Sequence, residues 1–431
     1  MHRVAQLVGQ GEYRQALVRL WVLAGQHPTG TSTLNIWELN RNKKAFEDDV
    51  NGFRRRLLNE VSVSAAEIGA SPLAFVSAID EVLATLQTSM PFHPMPFEEE
   101  GVEYWLTRAE LAPSQRVPFA RQMSNREAWF KWHSITPTQT SHGIAVQITA
   151  ASGRVAEHLA ALARGKTVQL RGWVGHFEDD ARVQFDQSAA DKLWFRELQP
   201  VSARLASIQT TFEHAATTGC HVVVLPECTV DLAGRAAARD WIVQHPEHPF
   251  LLVVAGTFHE HLPDGRFSTA ELWNHMAEPL LVHRKLRPFG SADGMGEDIN
   301  QGNRLTVLST PIGSVAVLIC KDFLDQHPAV STLLQEVHVE WALVPSYGAE
   351  STVAAHEARA SQLAKVGPGT SCMVANQRNV EWEPGSPLPG FAVCSQSPTV
   401  QRVEKHGGIV HFEVSRALPG PKLQRQKPRL I

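Results

Sequence analysis

The chain has few cysteines, no long apolar run and no excess of charge of one sign. Its 431 residues include five cysteines at irregular spacing, and a sparse, odd set in a long chain is typical of a reduced, intracellular protein. No apolar run approaches the roughly 18–20 residues of a membrane span. A net charge of −4 is far from the strongly basic character of a dedicated nucleic-acid-binding protein. We therefore expect a cytoplasmic protein that binds neither membrane nor nucleic acid.

We also expect no secretory signal in the first residues. Glu12, Arg14 and Arg19 interrupt any apolar segment there that a signal peptidase could remove. Hydrophobic residues make up 43% of the chain, which is enough to build sizeable cores. At roughly 100–200 residues per domain, this length predicts two or three domains.

The pattern along the chain predicts four regions. Residues 1–90 have apolar residues at helical spacing and are expected to form a helical region. Residues 101–180 combine strand-like segments, GIAVQI and TVQLRGWVGHF, with the helix-like RVAEHLAALA, and we assign them to a small α+β intermediate region. Residues 181–416 form the third region. Residues 417–431 are a basic tail that we expect to be disordered.

The third region alternates between helical segments and short apolar segments. HVVVLPE has no polar alternation, as expected for a strand that is buried on both faces. FLLVVAG, PLLVHRK, GSVAVLIC and EWALVPS have the same character. Helices that alternate with such strands predict an α/β layered fold.

Three of these apolar segments end on a residue that can take part in catalysis. Glu227 ends HVVVLPE, Lys285 ends PLLVHRK and Cys320 ends GSVAVLIC. Because ligands bind at the carboxyl ends of strands in open α/β sheets, we expect the three side chains to meet. A cation lowers the pKa of a nearby thiol, a carboxylate accepts the thiol proton, and a lysine stabilises an oxyanion. The set predicts attack on an amide or nitrile through a thioester acyl-enzyme.

At these positions the chain resembles the nitrilase, or carbon–nitrogen hydrolase, superfamily. The matching motifs are VVVLPEC, LLVHRKLRPF and VAVLICKDFLD, while LVPSYG and CMVANQ are similar in kind. The resemblance covers about residues 180–410. It implies a nitrilase-like αββα sandwich with Glu227 as base, Lys285 as the oxyanion-stabilising cation and Cys320 as nucleophile.

The resemblance also implies a second acidic residue and a mode of assembly. Glu297, in GMGEDINQG, matches a glutamate that orients the lysine and the substrate. Members of the superfamily use no metal or organic cofactor, and they often form homodimers or larger homo-oligomers. Their substrates include nitriles, amides, carbamoyl amines and acyl groups that are moved to an amine, so the resemblance leaves both hydrolysis and acyl transfer open.

Two further residues are assigned to substrate binding, and two other signals are set aside. Lys321 follows the nucleophile, where a second cation either favours an anionic substrate or faces solvent, and Ser346 lies in LVPSYG. HEH at 259–261 lacks the spacing of a metal site and is expected in a solvated loop. Cys228 adjoins Glu227 but has no strand-end cation of its own, so it is the weaker candidate for a nucleophile.

These features predict a thiol hydrolase that acts on a non-peptide carbon–nitrogen bond of a small molecule or a terminal amide. The alternative is a catalytically silent nitrilase-like scaffold or partner-binding module in a multi-protein assembly, including a defence assembly. The presence of all four candidate catalytic residues favours the hydrolase. Residues 1–180 have no counterpart in minimal members of the superfamily and are a candidate surface for a protein partner.

Overall fold

The computed structural model describes most of the chain, which forms two compact units. The described residues are 1–26, 43–86, 93–111, 132–140, 143–175, 177, 182–189, 191–199, 201–290, 294–324, 333–334, 337–365, 369–378, 389–403 and 407–416. Unit 1 contains the described residues up to Thr136, and unit 2 contains those from Pro137 to Arg416. Among the described residues, no helix is both long enough and apolar enough to cross a membrane.

Unit 1 combines helices with a small sheet. Its helices are α1 His2–Gly9, α2 Tyr13–Gln26, α3 Lys43–Leu58, α4 Ala65–Ala70 and α5 Pro72–Leu86, and its strands are β1 Met95–Glu99, β2 Val102–Arg108 and β3 His133–Pro137 in the order β1-β2-β3. Ser64 and Glu67 form a capping box at the start of α4, and Pro72 suits the first position of α5 because its ring presets a helical φ. Phe75 and Ile79 of α5 are fully buried in the core of the unit.

Unit 2 holds all four candidate catalytic residues. Its helices are α6 Gly153–Leu162, α7 Val201–Thr217, α8 Leu232–Gln244, α9 Lys321–Leu324 and α10 Glu350–Leu363. Its strands are β4 Ala145–Ala150, β5 Thr167–Gly175, β6 Arg182–Ala189, β7 Lys192–Gln199, β8 Val222–Val224, β9 Leu252–Val254, β10 Phe258–Leu262, β11 Gly265–Trp273, β12 Pro279–Arg284, β13 Gly296–Glu297, β14 Arg304–Thr310, β15 Gly313–Val317, β16 Trp341–Gly348, β17 Ser371–Arg378, β18 Gly390–Cys394, β19 Ser397–Val403 and β20 Gly407–Ser415.

Two seven-stranded sheets stack face to face in unit 2. The first has the order β10-β11-β9-β8-β5-β20, with β12 also paired to β11, and the second has the order β19-β18-β17-β16-β15-β14-β4. Between them, the rings of Trp341 and Phe412 meet edge to face, with centroids 5.1 Å apart. A Cβ on Gly172 would overlap the side chain of Met373. Glycine at 172 therefore lets the two sheets approach closely.

Helices cover the outer face of each sheet. Phe212 of α7 and Trp241 of α8 pack with Val223 and Val253 of the first sheet in one hydrophobic cluster. On the second sheet, α10 lies against β16, β17, β18 and β19. The order helix, sheet, sheet, helix is the αββα sandwich that the sequence predicts, and this prediction of the fold is confirmed.

The boundary between the units differs from the one expected at residue 180. β4 pairs with β14 at an edge of the second sheet, and β5 pairs with β8 and β20 inside the first. Both strands thus belong to unit 2, because the strands that they pair with lie in that unit although they are distant in sequence. β6, expected to open the domain, instead forms a three-stranded sheet with β7 and β13. The tail, 417–431, lies outside the described residues.

Candidate active site

Lys285, directly after β12, joins two buried carboxylates. Its Nζ donates to Oε1 of Glu227 and to Oε2 of Glu297, each at 2.7 Å. The exposed fractions are 2% for Lys285, 2% for Glu227 and 8% for Glu297. Because a charge buried without a partner costs several kcal/mol, each of these three charges depends on the others.

Backbone hydrogen bonds fix Glu227 and Lys285 beyond the ends of β8 and β12. The N–H of Glu227, beyond β8, donates to the carbonyl of Ser346 at 3.2 Å, and the N–H of Lys285 donates to the carbonyl of Ser268 at 2.9 Å. Glu297 lies in β13, which pairs in parallel with β7. The sheets therefore position the carboxylates and the ammonium through backbone as well as side-chain contacts.

Cys320 lies between β15 and α9 in a left-handed backbone conformation. Its φ is 43°, which for a residue other than glycine costs on the order of 1–3 kcal/mol. The N–H of Cys320 donates to the carbonyl of Pro345 at 2.9 Å. The carbonyl oxygen of Cys320 lies 3.2 Å from Nε2 of His356. The thiol sulfur lies 3.7 Å from the carbonyl of Tyr347. These contacts hold the strained residue in place.

Asp322 connects the turn that carries Cys320 to the segment that carries Lys285. Its Oδ2 lies 2.9 Å from Nε2 of His283 and accepts from the N–H of Ile319 at 3.2 Å. Its Oδ1 accepts from the N–H of Arg287 at 2.8 Å. His283 and Arg287 lie two residues before and two residues after Lys285. One fully buried carboxylate therefore fixes the lysine segment against the nucleophile turn.

Glu227, Lys285, Glu297 and Cys320 line one cavity of about 810 Å³, and Lys321 lines it as well. The other lining residues include Phe185, Leu193, Cys228, Phe289, Leu324 and Tyr347. The structure thus brings together the four residues that the sequence analysis assigned to catalysis. Ser346, which that analysis assigned to substrate binding, is fully buried and is not among the described residues that line the cavity.

Burial and neighbouring charges set the protonation of the buried trio. Burial raises the pKa of Glu227, Lys285 lowers it and Glu297 raises it, with a net pKa of about 7. Burial also acts to raise the pKa of Glu297, but Lys285 and His259 outweigh it and lower that pKa to about 2. Burial acts to lower the pKa of Lys285, and the two carboxylates more than offset this and raise it. At neutral pH Lys285 and Glu297 are charged, whereas Glu227 exchanges its proton there.

The thiol of Cys320 is neutral at the same pH, contrary to the expectation that a nearby cation lowers its pKa. Burial raises the pKa of Cys320 to about 12, and the charge of Glu227 adds to this. Lys285 and a hydrogen bond with Ser346 lower it, but by less. The site therefore needs a base at the moment of attack, because it holds no standing thiolate.

Sequence analysis missed His259, and the expectation of a solvated HEH loop is wrong. His259 lies in β10, which pairs with β11, and its side chain has no exposed surface. Nδ1 accepts from the N–H of Phe195 at 2.9 Å, so in the neutral ring Nε2 carries the proton, 3.6 Å from Oε1 of Glu297. The available signal was the Asp264–Gly265 pair between two strand-like segments, which is typical of a hairpin.

Metal ligation is not evident around these side chains. The part of the chain that the structure describes contains no group of three or more histidine, cysteine, aspartate or glutamate residues that could hold a metal ion.

Solved structures of the nitrilase superfamily are similar to this chain, although no family model and no curated protein matches its sequence. Nit3 of Saccharomyces cerevisiae, a member of branch 10 of that superfamily, is 17% identical; the match covers 57% of this chain and 90% of Nit3, with a TM-score of 0.40. An amidase from Nesterenkonia sp. is 16% identical over 58% of this chain and 90% of its own, with a TM-score of 0.40.

The glutamine-dependent NAD+ synthetase of Acinetobacter baumannii is also similar. It is 14% identical, and the match covers 59% of this chain and 49% of the synthetase, with a TM-score of 0.41. At these values nothing about the reaction follows from the likeness. The assignment of an αββα sandwich rests on unit 2 itself, on its two stacked sheets and the helices that cover them.

Proposed function

We propose that unit 2 hydrolyses a non-peptide carbon–nitrogen bond, in an amide, nitrile or carbamoyl compound, through a thioester on Cys320. The observation that carries this proposal is the convergence of a thiol and a lysine bridged to two carboxylates on one cavity. A scaffold gains little from three buried charges, because well-packed apolar residues are often as stable or more stable. Perturbed ionisable groups in a cavity are typical of a catalytic site.

Glu227 is the general base and acid in this proposal. In an amide or carbamoyl compound, the sulfur of Cys320 attacks the carbonyl carbon while Glu227 accepts the thiol proton, and the carbon–nitrogen bond then breaks as Glu227 gives that proton to the leaving nitrogen. A nitrile first forms a thioimidate with the sulfur, and the addition of one water then releases ammonia and leaves the same thioester. Water next attacks the thioester, and its proton passes through Glu227 to the departing sulfur. A carboxyl with a pKa of about 7 suits both directions of transfer at neutral pH.

Lys285 stabilises the oxyanion that forms during attack. An ammonium has three N–H donors, and two of those on Lys285 are directed at Glu227 and Glu297, which leaves one for the oxyanion. The N–H of Cys320 already donates to Pro345. We assign the second donor to the N–H of Lys321, because the first residue of a helix has no intrahelical acceptor for its N–H.

Glu297 is a positioning residue that holds Lys285 in place. Its Oε2 accepts both from Nζ of Lys285 at 2.7 Å and from the N–H of Phe289 at 2.6 Å. Its Oε1 faces Nε2 of His259 at 3.6 Å. With a pKa of about 2, Glu297 stays ionised while Glu227 exchanges protons, so the two carboxylates have separate roles.

Ammonia release from a panel of amides, nitriles and carbamoyl compounds tests the proposal. Cys320→Ala should abolish release, because without the sulfur no thioester forms. Cys372→Ala is the matched control: Cys372 is a buried thiol of β17 outside the cavity wall, and its loss should leave release intact. Hydroxylamine should yield the hydroxamate of any substrate that forms a thioester.

Release that persists in Cys320→Ala would assign the chemistry to another group, such as Cys228. Absence of release from every compound, with no hydroxamate from the wild type, would overturn the proposed reaction.

A further inference from the structure

Lys321 differs from the other charged side chains that line the cavity. Glu227, Lys285 and Glu297 satisfy one another at 2.7 Å. Lys321 is half-buried at the start of α9, and no hydrogen bond or ion pair joins its side chain to another described residue. Its neighbour Asp322 is already engaged by His283. The cavity therefore has one ammonium group whose charge the described residues leave available.

The rest of the cavity is suited to an apolar chain. Phe185 and Leu193 line it from the β6–β7 hairpin, and Phe289 lines it from the segment after Lys285. Leu324 lies three residues after Lys321, on the same side of α9, and also lines it. A cavity of about 810 Å³ is far larger than a simple amide needs, since pockets of about 300–1,000 Å³ enclose drug-sized ligands.

We infer that the substrate is an amide whose acyl chain ends in a carboxylate, with Lys321 binding that carboxylate and the apolar walls holding the chain between. This inference rests on the proposed function and names its substrate class. One ammonium matches one negative charge, whereas a phosphate group carries about −1.5 to −2 at neutral pH. The buried trio already contains two carboxyl groups against one lysine, so a group with the smaller charge fits better.

Matched pairs of amides test this inference through a ratio of rates. Monoamides of dicarboxylic acids, from succinamate through adipamate to suberamate, are compared with butyramide, hexanamide and octanamide, in which a methyl group replaces the carboxylate. A hydrogen bond between charged groups predicts that the acid exceeds its neutral partner in kcat/KM by about 10- to 100-fold at the best chain length. The chain length that gives the largest ratio then reports the distance from the sulfur of Cys320 to the ammonium nitrogen of Lys321.

Variants of Lys321 show whether this residue sets the ratio. Lys321→Met should bring it close to one, and Lys321→Arg should restore most of it. Lys321→Glu should reverse the preference, so that 6-aminohexanamide exceeds hexanamide. Lys365→Met is the matched control, because Lys365 is an exposed lysine that does not line the cavity; its ratio should equal that of the wild type.

Each remaining outcome counts against a different claim. Ammonia release from both members of each pair, with a ratio that Lys321→Met leaves unchanged, would overturn the inference and leave the hydrolase intact. A preference for the ω-phosphonate over the ω-carboxylate of equal length would overturn the assignment of a carboxylate. No release from any amide, with release from a nitrile or a carbamoyl compound, would overturn the inference alone. No release from any compound of the wider panel would overturn the proposed function, and the inference with it.

Discussion

Replacement of Lys285 with methionine removes the charge that two carboxylates share. In the native site Nζ lies 2.7 Å from an oxygen of Glu227 and 2.7 Å from an oxygen of Glu297. Methionine occupies similar space without charge, so the variant keeps both carboxylates buried and leaves them facing each other. Removing one partner of a buried ion pair costs about 3–5 kcal/mol. We expect a loss of this size in the free energy of unfolding at pH 8.

The loss should be smaller at pH 5, because the carboxylates can take up protons there. A carboxyl whose pKa is higher in the folded state than in the unfolded state lowers the free energy of unfolding as the pH rises from the unfolded-state pKa to the folded-state pKa. In the native protein Glu297 has a pKa of about 2 and contributes no such loss above pH 5. Without Lys285, burial raises the pKa of Glu297 instead. Each unit of that pKa between pH 5 and pH 8 changes the free energy of unfolding by about 1.4 kcal/mol. The variant should therefore lose at least about 1.4 kcal/mol more than the native protein between pH 5 and pH 8.

Denaturant unfolding at pH 5 and pH 8 measures this difference directly. The control is the triple variant Lys285→Met, Glu227→Gln, Glu297→Gln, in which no carboxyl is left to titrate at the site. Its pH dependence should be weaker than that of the native protein, since burial raises the pKa of native Glu227 to about 7. If Lys285→Met lowers stability equally at both pH values, the two carboxylates do not depend on Lys285 and the reasoning fails.

Two other predictions concern the base and the packing around the lysine. The profile of kcat/KM between pH 5 and pH 10 should rise through a midpoint near pH 7, because Glu227, with a pKa of about 7, must be ionised to accept the thiol proton. Glu227→Gln should remove this pH dependence and lower kcat/KM by about 10²- to 10⁴-fold. A flat profile of the wild type from pH 6 to pH 8 would contradict the role of Glu227. Gly302→Ala should lower stability by about 1–3 kcal/mol and also slow the reaction, because its Cβ would lie 2.5 Å from the carbonyl oxygen of Arg284 and 2.9 Å from that of Lys285. Gly52→Ala, within α3 and with no atom within 4 Å of the added Cβ, is the matched control and should raise stability by up to about 1 kcal/mol. Thermal and denaturant unfolding of both variants measures the contrast, and equal losses in the two would contradict the packing argument.

The arrangement of the site was predictable where it depends on strand order and strand ends. Glu227, Lys285 and Cys320 each follow a short run of apolar residues, which predicts a strand buried on both faces. β8 and β15 are buried throughout, whereas β12 is not, because Val282 is 46% exposed. Since strands of a layered α/β fold present their ends at a shared edge, three separate segments predict one site. Glu297 needed the resemblance to known motifs, because β13 contains only two residues and no local pattern identifies it.

The boundary of unit 2 was not predictable, because it depends on pairing between distant segments. Strand propensity is visible in β5, but its partner β20 is almost at the other end of the unit. A local pattern carries no information about which strands pair, so β5 was assigned to a separate region. The state of the thiol was missed for a related reason. A neighbouring cation is evident from sequence, whereas the burial that raises the pKa of Cys320 to about 12 depends on the assembled sheets.

The β6–β7 hairpin links the shape of the cavity to the position of the lysine. Leu193 lines the cavity, and its carbonyl accepts from the N–H of Asp298 at 2.8 Å, next to Glu297. Two residues after Leu193, the N–H of Phe195 donates to Nδ1 of His259 at 2.9 Å. A change in the hairpin that alters substrate binding should therefore also disturb Glu297, and through it the lysine. The side chain of Lys321 has no hydrogen bond or ion pair with the described residues of this chain of contacts, so a change of that side chain should alter charge selection with little effect on the buried trio.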